Sequence, residues 1–217
     1  MENGIRLRLT APVAAKERRL AELLAARGGA APLAAVRAAQ VEGSLALSGL
    51  EGSAEARAAL VRALSAVEPD APLSAAALEA WQRALGGGGF RAGERAREGG
   101  PPPAPPEVIR SRLGILAQWM DAPSAAELKP AQQGALVLAR VVEVMPFDDG
   151  NGRVARLAAS HVMVRAGARP PILVAADGPR LVQALQAAFQ LHTEPLSTLL
   201  EEAAERALDA MIREAGG

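Results

Sequence analysis

Residues 86–106, GGGGFRAGERAREGGPPPAPP, can form neither a regular helix nor a good strand, and they cut the chain in two. Seven glycines leave the backbone there without a preferred conformation, and five prolines remove donors that a helix or a sheet ladder needs. The segment reads either as a disordered linker or as a glycine-bounded hairpin flap near 89–100, with a middle from Phe90 to Glu98 that is very polar for a strand. The organised structure must come from 1–85 and 107–217.

Both parts carry helical patterns. Alanine and leucine, strong helix formers, dominate the apolar half of the chain, whereas aromatics make up 2% and tyrosine is absent, which disfavours a β-sandwich or barrel. Helices are expected over 13–27, where Leu20, Leu23 and Leu24 share a face, over 33–47 and 54–67, and from a Ser74 cap to Leu85 with Trp81 as the largest anchor. Beyond the break they are expected over 106–120, 124–144, 152–166, 178–191 and 195–213, with 172–174 a short extended piece. The expectation is an all-α fold: N-terminal helices over 1–85, a flap or loop over 86–106, and a helical core over 107–217.

Several chemistries are excluded at once. There is no cysteine, hence no disulfide or thiolate chemistry, and the two histidines, His161 and His192, cannot make a His-rich metal centre. Lys+Arg and Asp+Glu both number 24, so the surplus of positive charge that nucleic-acid binding draws on is missing. No apolar run reaches the roughly 18–20 residues of a membrane span, and MENGIRLRLTAPVAAKERR lacks the apolar core of a signal peptide. A cytoplasmic location is expected, and the preference for arginine over two lysines, Lys16 and Lys129, suggests a GC-rich bacterial genome.

The stretch with chemical content is Val144-Met145-Pro146-Phe147-Asp148-Asp149-Gly150-Asn151-Gly152-Arg153-Val154-Ala155-Arg156. A buried helix must end before Pro146, Gly150-Asn151-Gly152 make a tight turn, and a new helix begins near Arg153. Backbone N–H groups of the turn and of the helix start form a nest for an anion. Asp149 offers a hard carboxylate for Mg²⁺, and Arg153 and Arg156, three apart, share a helix face from which guanidinium groups can fork phosphate oxygens. Together these residues describe a site for a nucleotide polyphosphate with Mg²⁺. The plainer alternative is a helix–turn–helix joint with solvated charges. The GGGG run at 86–89 is not a phosphate loop, since no Gly-Lys-Ser/Thr follows it.

PFDDGNGRVAR, residues 146–156, resembles the HPFx(D/E)GNGRxxR loop of the Fic/Doc family. GFRAG at 89–93 is similar to the start of that family's flap and PPPAPPEV at 101–108 to its proline-rich exit; Leu116 to Trp119, the helices on either side of the loop and the C-terminal pair have the family's order, and the likeness covers about 40–210. The resemblance implies an all-helical core and transfer of AMP from ATP to a protein hydroxyl, with nucleotide and a hydroxyl-bearing target protein as partners. It implies that Asp149 holds Mg²⁺, that Gly150, Asn151 and Gly152 line the hole for the α- and β-phosphates, that Arg153 grips the outer phosphates, and that Phe147 is buried as an anchor.

The sequence departs from that family at Met145, where the pattern has the histidine that takes the proton from the attacking hydroxyl. A thioether has no usable basicity near neutral pH. His161, two turns down the following helix, and His192, in the C-terminal region, do not replace it and read as core or surface residues. Leu138 and Val141 suggest a dry wall behind the loop, and Arg95 and Arg97 stand at flap positions usually apolar. The family's inhibitory helix, [S/T]xxxE[G/N], is resembled by Leu50-Glu51-Gly52, with Leu47 in place of Ser/Thr; a Glu51–Arg156 contact is therefore expected, and Glu42-Gly43 is the rival. Three readings stay open: a Fic-type transferase working slowly or with another base, a nucleotide-binding pseudoenzyme, and an interaction module.

Overall fold

The computed structural model describes residues 11–29, 31–97 and 100–216; residues 1–10 of the N-terminal stretch read for a targeting signal and residues 98–99 of the expected flap lie outside the described residues. The described residues contain α1 (Ala11–Arg27), α2 (Leu33–Ala46), α3 (Ala54–Ser65), α4 (Ala75–Ala84), α5 (Ile109–Met120), α6 (Pro123–Ala126), α7 (Pro130–Val144), α8 (Asn151–Arg165), α9 (Gly178–Phe189) and α10 (Glu194–Glu214), and no strand. Among the described residues no helix is long and apolar enough to cross a membrane. The all-α expectation holds.

The local reasons are those of helix chemistry. Ser53 and Ser74 cap α3 and α4 by accepting from the N–H groups of Ala56 and Ala77, at 3.1 and 3.0 Å. One expected helix, 124–144, is two: Pro130 holds Lys129 at ψ 150°, so α6 stops and α7 starts at the proline, which tolerates only the first turn. Trp81 is buried where its spacing put it.

α7 is the central helix. Ala135, Val137, Leu138, Val141 and Val144 are all buried, and α5, α8, α9 and α10 pack around it. The main core draws on both sides of the glycine/proline segment, since Val41, Leu45, Leu60, Leu78 and Trp81 share it with α7 and α8. A smaller cluster, including Leu20, Val36, Ile172 and Met211, seats α1 against α10. Lys16 clamps that seat through Glu205 and Asp209 at 2.6 and 2.7 Å, and those carboxylates raise its pKa.

The hairpin expected near 89–100 is absent among the described residues, where the chain runs in turns and bends. Its arginines bond backbone carbonyls, most of them around the end of α7. Arg91 Nε donates to the Met145 carbonyl at 2.7 Å, and its other nitrogens reach the carbonyls of Gly93 and Ala104. Arg97 donates to the carbonyls of Val142 and Glu143 at the end of α7 and lies over the Phe189 ring. We call residues 86–97 and 100–106 the strap.

Candidate functional site

The loop between α7 and α8 is closed by its own residues. α7 ends at Val144, and Met145 takes a left-handed conformation, φ 51° and ψ 61°. For a residue with a Cβ that conformation costs about 1–2 kcal/mol, and its N–H still donates to Val141 at 3.0 Å. Pro146 then turns the chain inward and Phe147 is wholly buried, 5.5 Å from the Phe90 ring of the strap. Asn151 locks the turn: its Oδ1 accepts from the Phe147 N–H at 2.9 Å and its Nδ2 donates to the Phe147 carbonyl at 2.8 Å.

Gly150, at φ 76°, precedes α8 in a conformation that suits glycine. The first-turn amides of α8, from Asn151 to Arg153, have no carbonyl one turn back to bind and lie at the positive end of the helix dipole. Arg153 Nη2 contacts Asp149 Oδ2 at 2.8 Å; the arginine side chain is 12% exposed and the aspartate 89%. Beside them a cavity of about 200 Å³ lies between the loop and Gly86–Gly89 of the strap.

Arg156 sits one turn further along α8 in a different setting. Its Nη2 donates to the hydroxyls of Ser44 and Ser48 at 3.1 and 2.8 Å, and its Nε is enclosed without a partner. Burial, with repulsion from Arg153, pulls its pKa down to about 10, so it remains a cation at neutral pH. Among the described residues no carboxylate partners it. The expected Glu51–Arg156 contact is not formed: α2 ends at Ala46, the chain turns through Gly49 and Gly52 at φ 64° and 82°, and Glu51 emerges exposed. Glu42 does not take its place. Gly43 packs so tightly on the Leu173 carbonyl that a Cβ would stand 1.7 Å from it, which turns Ser44 toward Arg156 and leaves Glu42 exposed, paired with Arg57.

The histidines lie apart from the loop. His192 is exposed after α9, and His161 is buried in α8 with its ring edge-on to Trp81 at 5.4 Å. Burial lowers the His161 pKa; the Ala71 backbone offsets part of that, although no hydrogen bond of normal geometry forms, and Arg165 lowers it further. Leu138 and Val141 are buried within α7, behind the loop.

Two residues at the site escaped sequence reasoning. Arg91 is 2% exposed and joins both ends of the strap to the carbonyl of Met145. Gln82, 3% exposed, donates from Nε2 to the Asp149 carbonyl at 2.9 Å. A signal existed for the second: Gln82 is four residues after Leu78 and next to Trp81, so a polar side chain stands on the buried face of α4.

The comparisons with known proteins bear on the family and the fold. Residues 72–163 match the model of the Fic/DOC family. A protein adenylyltransferase Fic from Aedes aegypti is 29% identical over 141 residues, which is 62% of this chain and 28% of that protein. The chain therefore corresponds to under a third of that relative's length. A Fic domain containing signaling protein from Bacteroides thetaiotaomicron superimposes with a TM-score of 0.72 at 18% identity, over 95% of this chain and 97% of the other. IbpAFic2 covalently tethered to Cdc42 superimposes with a TM-score of 0.59 at 16% identity, over 88% and 70%. At such identities the superpositions establish the fold alone.

Proposed function

From the Fic/DOC-family domain that residues 72–163 form, we infer that this chain binds a nucleoside triphosphate, ATP by family analogy, with Mg²⁺, and transfers AMP slowly or not at all. The observation that carries the reading is the self-closed loop with its free helix start, flanked by Arg153 and Asp149. The amides from Asn151 to Arg153 would receive the inner phosphates and Arg153 the outer ones.

The donor set fits a divalent cation held mainly by its ligand. Among the described residues no three acidic or imidazole side chains gather in one place, whereas Asp149 is a well-exposed carboxylate next to the anion nest. Magnesium in proteins commonly keeps one or two carboxylates and completes its shell with phosphate oxygens and water. When bound there, the ion would neutralise phosphate charge. The Asp149–Arg153 ion pair then reads as a resting arrangement, since each partner has an opposite charge to accept from the nucleotide complex.

Transfer requires a hydroxyl oxygen to bond the α-phosphorus, the bond to pyrophosphate to break, and the hydroxyl proton to leave. Residue 145 is where the family pattern places the group that takes the proton, and a thioether cannot accept it. Neither histidine stands at the loop. The target, by analogy with the relatives, is a protein hydroxyl; IbpAFic2 tethered to Cdc42 shows that a fold of this kind can engage a protein. Titration calorimetry with Mg·ATP tests the reading. Binding should be measurable in the wild type and fall at least tenfold in Arg153→Ala, the loss of one charge-assisted contact or more. Absence of binding in the wild type would leave only an interaction module.

A further inference from the structure

The glycine run at 86–89 has no phosphate-loop sequence, yet it forms one wall of the cavity beside Asp149. The Gln82 side chain crosses from α4 between that run and the loop. A Cβ on Gly87 would lie 1.9 Å from Gln82 Nε2 and 2.6 Å from its Cδ, and one on Gly150 would lie 2.7 Å from Oε1. The amide is therefore slotted between two glycines, one from each segment. All three atoms closest to the Gly87 position belong to Gln82 itself. Nε2 holds the Asp149 carbonyl, the peptide that leads into Gly150 and the start of α8. Oε1 is buried and accepts nothing.

A buried acceptor without a partner works against folding, so stability alone is a poor reason for a glutamine at this place. We propose that Gln82 is a positioning residue: its N–H grip on the Asp149–Gly150 peptide sets the aim of the α8 amides, and Gly87 lacks a side chain to admit that grip. The proposal rests on the nucleotide reading above for its ligand, but not for its geometry.

The test is a double-mutant cycle with three readouts. Gln82→Ala, Gln82→Met, Gly87→Ala and the double variant Gln82→Ala/Gly87→Ala are compared for Mg·ATP affinity by calorimetry. The amide ¹H–¹⁵N shifts of Gly150, Asn151 and Gly152 are followed in the ligand-free proteins. Each single variant should weaken Mg·ATP about five- to tenfold, as expected for one lost positioning bond. Gly87→Ala should add nothing once Gln82 is alanine, because the only atoms it collides with are gone. Gln82→Met, which keeps the bulk and removes the orphan acceptor, should leave the thermal midpoint unchanged while affinity falls, a split that a purely structural residue would not produce. The loop amides should move in all three single variants. Equal losses from Gly87→Ala in both backgrounds, unmoved amides, or moved amides with unchanged affinity would each overturn the proposal. Should the wild type bind no Mg·ATP, the nucleotide reading fails by itself, and the non-additivity of the amide shifts still decides the role of Gln82.

Discussion

The α7–α8 loop and the strap meet face to face, but they are held by opposite means. The loop is tied to itself: Asn151 reaches back four residues to Phe147, Gly150 supplies a left-handed turn, and Phe147 plugs the core. The strap binds mainly to what it covers. Arg91, Arg95 and Arg97 reach the carbonyls of Met145, Asp148, Val142 and Glu143, and the Arg91 N–H donates to the Pro146 carbonyl. These carbonyls lie at or just beyond the end of α7, where helical carbonyls lack partners and the dipole favours cations. A short-range pattern builds one half of the site, and long-range contacts to backbone build the other.

The largest expected effect tests whether the loop needs its first residue. If Asn151, Gly150 and Phe147 suffice, the side chain at 145 is free to change, and Met145→His should leave the loop intact while adding a base. AMP transfer, followed as self-modification with labelled ATP, should rise by ~10²–10⁴, the usual worth of a positioned base. Wild-type transfer as fast as that of Met145→His would show that another group takes the proton. Loss of Mg·ATP binding in the variant would show that the loop is not self-sufficient.

A smaller effect should separate the strap's own arginines. Arg91→Met removes a buried guanidinium and strands carbonyls at Met145, Gly93 and Ala104. With the buried Ala104 acceptor and a half-buried one at Met145 left unpaired, unfolding free energy should fall by about 2–4 kcal/mol, read from urea midpoints. Arg95 is 42% exposed and bonds the Asp148 carbonyl at 2.5 Å in reach of water, so Arg95→Ala should stay within about 0.5 kcal/mol of wild type. Similar losses in the two variants would mean that the strap acts as one cooperative sheet of contacts rather than hanging on one residue.

The same contrast explains what could be read in advance. The helices, the Ser53 and Ser74 caps and the turn at Gly150 follow from residues within one or two turns of each other, so spacing and residue type reveal them. Pro130 was equally legible, since a proline seven residues into a helix of 124–144 has to break it. The strap was not, because the carbonyls that attract its arginines exist only once α7 is folded nearby. The inhibitory contact failed for a related reason. Which way Glu42, Ser44 and Glu51 point depends on Gly43 meeting the Leu173 carbonyl 130 residues away in the chain, a contact that periodicity within α2 does not encode.

The smallest effect lies where the two halves are joined. Trp81 on α4, five residues before the glycine run, rests on His161 of α8, the helix that the loop begins. Burial depresses the His161 pKa, with Arg165 one turn on adding to the shift and the Ala71 backbone opposing it. In the unfolded chain the ring takes a proton near pH 6.5; in the folded protein it resists until lower pH. Above about pH 6.5 both states are neutral and the group's contribution is complete, and it is lost as the pH falls through the folded value because the unfolded state binds the proton first. Urea midpoints of the wild type should therefore fall between pH 7.5 and pH 5 more than those of His161→Phe, which keeps a ring against Trp81 but cannot titrate. Carboxylates elsewhere change both proteins alike and cancel in the difference. Trp81 fluorescence should report the weakened contact before Mg·ATP affinity changes, because the loop is closed by Asn151 and not by α4 alone. Identical pH slopes would show that the ring finds a proton acceptor in the folded state, and an affinity loss preceding the tryptophan signal would show that the loop depends on α4 more than on its own bonds.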